Sequence, residues 1–326
     1  MIISIALIVG VVLLYYGGDW LVDGVAELGQ KMSWPKVMTG LILVSLGTSA
    51  PELFVSVSSA VQGHGAMAAG NVFGSNIINS AVVLGLAVCV CRLMVERVMQ
   101  QQLFAMALVS LLAALMIRDG HLSRLEGLIL LATMTLSLLG AYKASKTTNT
   151  NINAAAPTDV TRAAIAGENT ASEADMGRST AHALAISVVG IVALLVGAEA
   201  LIWGGLGLAR QLQISEAVVA LTITALGTSL PEIAATIAAV RKRETAMAVG
   251  NVIGSNLFNL GLVLGLSAIV MPLNNTDTGS LTLMVFLSLT VFVAALGLKP
   301  GYYPRWTGFL LLVGYGFYAT ALVQSA

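Results

Sequence analysis

The chain alternates long apolar stretches with short polar or charged segments. Ten stretches approach or exceed the roughly 20 residues a helix needs to cross lipid, near 2–29, 35–60, 65–91, 100–117, 123–143, 181–209, 215–240, 245–271, 280–298 and 303–323. Five fall in each half. Because five is odd, the second half enters the membrane from the opposite side. The expected architecture is therefore an all-α polytopic membrane protein with ten transmembrane helices in two inverted-topology five-helix repeats, residues 1–145 and 179–326. Residues 146–178, rich in Ala, Thr, Asn and Ser without a sustained apolar face, are expected to form a flexible cytoplasmic linker. The first run begins almost at Met1, with no basic leader and no small-residue cleavage site, and is expected to stay as the first span.

Composition agrees with this pattern: 57% of residues are hydrophobic and 10% charged, far from a water-soluble surface. The formal net charge is zero, which leaves no basic face for nucleic acid. Charge speaks to topology instead. With the N-terminus on one side, the loops of the other side hold Lys31, Lys36, Arg92, Arg97, Lys143, Lys146, Arg162, Arg178, Arg241, Lys242, Arg243, Lys299 and Arg305, against Arg118, Arg124 and Arg210 on the first. The positive-inside rule makes the richer side cytoplasmic and leaves both termini outside. Membrane lipid is the expected surroundings, and no obligate protein partner is indicated.

Two polar motifs interrupt the apolar pattern, and each occurs twice at a spacing of 180 residues. Gly47-Thr48-Ser49-Ala50-Pro51-Glu52 returns as Gly227-Thr228-Ser229-Leu230-Pro231-Glu232, and Gly70-Asn71-Val72-Phe73-Gly74-Ser75-Asn76-Ile77-Ile78-Asn79 returns as Gly250-Asn251-Val252-Ile253-Gly254-Ser255-Asn256-Leu257-Phe258-Asn259. Inside lipid such groups are costly unless they serve one another or a ligand. Thr48 lies about 18 Å of helical rise after Lys36, and Ser75 about 15 Å after Gly65. Against a hydrocarbon core of about 30 Å both depths are near the midplane. Thr48 and Ser49 precede Glu52 by four and three positions and are expected on its helical face. Pro51 and Pro231 release the carbonyls of Gly47 and Gly227 from the helical ladder. Ser75 and Asn79, like Ser255 and Asn259, are four apart and share a face. The Gly-x-x-x-Gly pairs 70/74 and 250/254 favour close helix packing.

The candidate ligands are therefore Thr48, Ser49, Glu52, Ser75, Asn79, Thr228, Ser229, Glu232, Ser255 and Asn259. This all-oxygen set suits a hard cation: Ca²⁺ takes six to eight oxygens in flexible geometry, Na⁺ can use a subset, and Mg²⁺ sheds its water reluctantly. Cys89 and Cys91, two apart on a helix, are poorly placed to bridge and read as small buried side chains. His64, His121 and His182 form no ligand cluster. Asp19 and Glu199 lie towards span ends, where a helix-end or hinge role is at least as good a reading as ligation. Ser, Thr and Asn also glue membrane helices together, but duplicated glutamates at matched depth favour an ion site.

At these residues the chain resembles the cation/calcium exchanger superfamily, in particular its prokaryotic sodium/calcium antiporters. The resemblance covers the whole plan of ten spans and a central loop. It implies that Glu52 and Glu232 bind Ca²⁺ or Na⁺ in turn as the transported ions, with no resident cofactor and no enzymatic activity. It further implies hydroxyl or carbonyl oxygens from the Thr-Ser pairs, central and flanking sites completed by Ser75, Asn79, Ser255 and Asn259, extra carbonyls from Ser45 and Ala225, and a bacterial inner-membrane location. The first and sixth helices are expected to slide across the core, eased by Gly17, Gly18, Gly197, Gly204 and Gly205. Several family members carry Asp where this chain has Asn259, which leaves two midplane carboxylates here. The expected activity is Ca²⁺ export against Na⁺ by alternating access. Ca²⁺/H⁺ or K⁺-dependent exchange remains open beside it. From other classes, a channel would not stall without a counter-ion, and an intramembrane hydrolase lacks its His-Glu-x-x-His or Gly-x-Ser-x-Gly motif.

Overall fold

A computed structural model describes residues 2–95, 97–154, 179–212, 225–274, 276, 279–298 and 301–325. The first half runs through α1 (Ile2–Lys31), α2 (Lys36–Thr48), α3 (Ala50–Val61), α4 (Gly65–Val90), α5 (Arg97–Met116) and α6 (Arg124–Ala154). The second runs through α7 (Thr180–Gln211), α8 (Ala225–Thr228), α9 (Leu230–Arg241), α10 (Thr245–Val270), α11 (Ser280–Leu296) and α12 (Arg305–Ser325). Among the described residues seven helices are long and apolar enough to cross a membrane, and α2 with α3 makes an eighth span bent by 47°. α11 is a shorter apolar helix. The stretch expected at 215–240 is described only from 225 onward. α6 continues to Ala154, so residues 146–154 of the expected linker are helical, and the rest of that linker lies outside the described residues.

The chain is a helical membrane protein arranged around two central helices. α4 is 78% buried and α10 83%, whereas α1, α6 and α12 bury only 22%, 22% and 17%. The first two are thus walled by protein and the others face lipid. Phe73 of α4 meets Phe286 of α11 edge to face at 5.0 Å. The Gly-x-x-x-Gly pair of α10 packs as its spacing predicts: a methyl on Gly250 would strike the backbone of Val37 and Leu41, and one on Gly254 the Leu41 carbonyl and the Ser45 hydroxyl. The equivalent neighbours of Gly70 and Gly74 would be residues 217 and 221, which lie outside the described residues.

Four two-residue strands interlock the halves. β1 (Met94–Val95) pairs with β4 (Gly301–Tyr302), and β2 (His121–Leu122) with β3 (Leu273–Asn274), both antiparallel. β2 precedes β4 by 180 positions (301 − 121) and β1 precedes β3 by 179 (273 − 94). Each pairing therefore maps onto the other when the halves are exchanged, as a two-fold operation requires.

α1 and α7 lie against each other along their length. Glycines recur every seven residues on both helices: Gly10 faces Gly197, Gly17 faces Gly190, Gly24 meets Ala183 and Ser187, and Gly204 meets Leu7, so that a methyl on any of them would collide with the opposite helix. A glycine seam of this kind brings backbones into contact. The slide-easing role expected of Gly17, Gly197 and Gly204 is corrected accordingly: they hold α1 to α7 and do not face the core. Gly18 does face the core, against Ala234 and Ala238 of α9, and Gly205 is half-buried on α7.

Candidate cation site

Both glutamates stand in the first turn of a helix that begins at a break. Ser49 ends α2 with φ −81° and ψ 7°, and Ser229 ends α8 with φ −89° and ψ 4°. Pro51 cannot donate to the Gly47 carbonyl four residues back, so one helix stops and another starts. In the first turn of α3 the missing amide hydrogen costs nothing, because that donor has no partner within the helix anyway. Glu52 and Glu232 consequently project from the positive ends of α3 and α9, where a helix dipole favours an anion.

The break reassigns the hydroxyls. Thr48 and Ser49 are not on the face of Glu52, as helical spacing suggests; they turn to the other half. Ser49 Oγ donates to Glu232 Oε1 at 3.3 Å, and Thr48 is within reach of the same carboxylate. In return, Thr228 and Ser229 come close to Glu52, but neither closes a hydrogen bond to it. Ser75 Oγ reaches Glu52 Oε1 at 3.4 Å and shares a 3.4 Å contact with Thr228 Oγ1. Each glutamate thus lies beside the Thr-Ser pair of the opposite repeat, while Glu52 takes its hydrogen bond from Ser75 of its own. All ten candidate residues are buried, with Glu52 at 0% and Glu232 at 1% exposure.

Much of their polar capacity is unused. Glu52 Oε2, Glu232 Oε2, Ser229 Oγ, Ser255 Oγ and both side-chain atoms of Asn79 and Asn259 are buried with no hydrogen-bond partner among the described residues. Six of those atoms are oxygens. At about 1–3 kcal/mol for each unsatisfied buried group, six cost on the order of 10 kcal/mol, as much as the whole stability of a typical domain. Other such groups include Asn76, Ser110 and Ser267; among the described residues, these six oxygens include one from each of the two carboxylates. Among the described residues no three His, Cys, Asp or Glu come together, so an occupant must accept mainly neutral oxygens, as a hard cation does.

Two supports are not evident from the motif alone. Asn71 Nδ2 donates to Ser56 Oγ at 2.9 Å and to the Glu52 carbonyl at 3.3 Å, and Asn251 Nδ2 donates to Thr236 Oγ1 at 2.9 Å. Ser56 and Thr236 each follow a glutamate by four residues, which was the available signal. The second support is a change of helical pitch. Asn79 and Asn259 open π-helical segments, Asn79–Val83 and Asn259–Leu264, and a third spans Thr39–Val44 in α2. Such bulges redirect side chains and are frequent at functional sites.

Of the remaining candidates, the Ser45 carbonyl is already bonded by the Ser49 amide at 2.9 Å, while its hydroxyl bridges to the Asn251 carbonyl at 2.9 Å. Ala225 opens α8 on the corresponding turn. Asp19 is outside the site, 3.4 Å from Arg241 Nη2. Glu199 is exposed on α7 beside Ala6 and Trp203.

The model of the sodium/calcium exchanger protein family matches residues 2–143 and 182–324. The chain belongs to this family. The exchanger is 36% identical to the inner membrane protein YrbG of Escherichia coli (strain K12) over 82% of its own length and 79% of that protein. It is 28% identical to the sodium/calcium exchanger MaX1 of Methanosarcina acetivorans over 97% and 96%. The structure of the sodium-calcium exchanger NCX_Mj soaked with zero Na⁺ and Ca²⁺ matches with a TM-score of 0.81 and 26% identity, covering 97% of each chain. The exchanger is accordingly an integral membrane cation antiporter and not an enzyme.

Proposed function

We propose that the exchanger moves Ca²⁺ against Na⁺ by alternating access at a midplane site shared by Glu52 and Glu232. The observation that carries this reading is the crossed arrangement in which each glutamate lies beside the other half's Thr-Ser pair, Ser49 donating to Glu232, while six buried oxygens around them lack partners among the described residues. Ca²⁺ suits six to eight oxygens, and Na⁺ uses fewer of the same atoms. Thr48, Ser49, Ser75, Asn79, Thr228, Ser229, Ser255 and Asn259 supply the neutral ligands.

Exchange follows from desolvation. Two bare carboxylates cost several kcal/mol each to bury, so the empty protein resists closing over its site, while a filled site crosses. The two glutamates carry charge −2, which one Ca²⁺ or two Na⁺ neutralise; exchange is then electroneutral. Protons compete for the same carboxylates. The strand pairings that map onto one another support the inverted-repeat plan. The asymmetry of basic residues supports a cytoplasmic face at Lys31, Arg92, Arg241 and Arg305, with both termini outside the inner membrane.

The test is radiocalcium uptake into inside-out vesicles driven by a Na⁺ gradient. Glu52→Gln leaves a buried cation short of one charge, a loss of about 3–5 kcal/mol, or a few hundred-fold or more in uptake. Normal uptake by that variant would refute the shared-carboxylate mechanism. Uptake that follows a pH or K⁺ gradient instead identifies a different counter-ion.

A further inference from the structure

The fold builds the same corner twice, where a strand after the third stretch of one half pairs with a strand before the last helix of the other. At the β1–β4 corner, Arg92, Tyr302, Tyr303, Pro304 and Arg305 line a cavity of about 320 Å³. That size is at the lower end for small-molecule sites. We propose that this corner is a phosphate-binding site, taking the headgroup of an anionic lipid or a free phosphate ion.

Three observations carry it. First, the two arginines find no compensating charge among the described residues. Among the described residues neither has an ion-pair or hydrogen-bond partner, whereas on the same face Lys31 meets Glu27 at 2.7 Å, Lys36 meets Glu244 at 3.2 Å, Arg241 meets Asp19 at 3.4 Å and Lys242 meets Asp23 at 2.7 Å. Basic residues that serve only as topology anchors have no need of a cavity between them, and planar guanidinium groups match phosphate oxygens two at a time.

Second, the cavity is held in shape. Tyr303 N donates to the Leu93 carbonyl at 3.0 Å, and its buried hydroxyl reaches the Val293 carbonyl at 3.4 Å, fixing the floor. Tyr302 and Trp306 are each 60% exposed next to the opening, the position aromatic side chains take at the boundary between lipid and water.

Third, the opposite corner lacks the feature. Shifting by 180 positions puts Pro272 in place of Arg92, Leu122 in place of Tyr302 and Leu125 in place of Arg305. Arg124 stands there, but Asp119 and Glu126 lie in the same turns, where they accept from His121 N and Ser123 N. The architecture therefore does not require arginines at this place. The armed corner lies on the face richer in basic residues, and clusters of this kind on the cytoplasmic side recognise anionic headgroups.

The full-length purified protein, stripped of co-purified lipid, is offered phosphatidylglycerol or phosphatidylcholine and read by native mass spectrometry. The wild type should retain phosphatidylglycerol preferentially, and Arg92→Gln with Arg305→Gln should lose at least about tenfold of that retention. Lys143→Gln with Arg243→Gln removes the same charge outside the cavity and should retain it. Equal retention by the cavity variant, or equal loss by the control, overturns the site. Should the double variant not fold, each single arginine variant should lose a smaller part of that retention, and wild-type retention by both singles overturns the site equally. A further arm adds inorganic phosphate to protein in phosphatidylcholine nanodiscs: displacement of phosphatidylglycerol at matched concentration assigns the site to the free ion, and none assigns it to lipid.

Discussion

Helices α4 and α10 carry Ser75, Asn79, Ser255 and Asn259 and are 78% and 83% buried, whereas α1 and α7 bury 22% and 33% and show lipid most of their surface. The two regions use small residues and breaks for different ends. Around the site, helices stop at Ser49 and Ser229 and change pitch at Asn79 and Asn259, leaving oxygens without partners. Along α1 and α7 the helices are unbroken for 30 and 32 residues, and glycines bring them to backbone contact. Irregular backbone in a membrane is tolerated only where protein or a ligand covers it. The comparison teaches that unpartnered oxygens gather on the helices around the site, while the pair facing lipid is held together chiefly by glycine packing, with one Glu27–His182 contact at 4.0 Å.

The largest expected effect tests the first region. Ca²⁺ that fills the unpartnered oxygens binds the folded state, so at about a hundred times its dissociation constant it stabilises the exchanger by about 2.7 kcal/mol. A thermal melt with and without Ca²⁺ should show this shift, and Glu52→Gln combined with Glu232→Gln should remove it. Lowering the pH protonates the carboxylates and should erase the protection in the wild type. Persistent protection in the double variant would place the binding oxygens elsewhere.

Next in size is a change of charge. Asn259→Asp makes the site −3, so that three Na⁺ balance it while one Ca²⁺ leaves a negative remainder. Exchange should pass from electroneutral to voltage-sensitive, because one elementary charge crossing 100 mV corresponds to about 2.3 kcal/mol. Imposed diffusion potentials should leave wild-type uptake unchanged and alter that of the variant. A wild type that already responds to potential defeats the charge count.

The polar residues of the site were legible because each broke an apolar run, and the duplication at 180 positions paired them. Their partners were not. Helical spacing put Thr48 and Ser49 beside Glu52, but the stop forced by Pro51 turned Ser49 to Glu232. The proline was visible; the direction of the chain after it was not, because that is set by packing against the other half. The π segments leave no trace in the apolar pattern, since nearly every residue near Asn79 and Asn259 is buried whatever the pitch, Val82 and Leu262 being only partly exposed. The strand pairs are two residues long, too short for any alternation to register. The glycines of α1 and α7 were visible too, and their seven-residue spacing in both helices was the unused sign of a mutual seam.

That seam is tested by Gly190→Leu, whose side chain would meet the backbone of Leu21 and Gly17. Overpacking of this kind costs about 1–3 kcal/mol. The melting temperature should fall, while Ca²⁺ protection of the remaining folded protein should persist, because no ligand is touched. An unchanged melting temperature removes the seam as a structural element; a selective loss of Ca²⁺ protection makes the two regions one.

The smallest effect belongs to their junction. Lys242 of the segment after α9 meets Asp23 of α1 at 2.7 Å, and one turn along Arg241 meets Asp19 at 3.4 Å and lies 4.0 Å from the Tyr15 ring. These contacts fasten the glycine-seamed pair to the site-bearing helices at one end. Asp23 is 56% exposed, so solvent and salt screen its pair, and Asp23→Asn should cost about 0–1 kcal/mol. Asp19 is more sheltered at 19%, and Asp19→Asn should cost more, leaving Arg241 with Tyr15 alone. The discriminating measurement is a melt at low and at high salt: the Asp23 effect should vanish in salt, and the Asp19 effect should survive in part. If both vanish together, the junction is a screened surface attraction, and the two regions are joined by the close packing of Gly18 against Ala234 and not by charge.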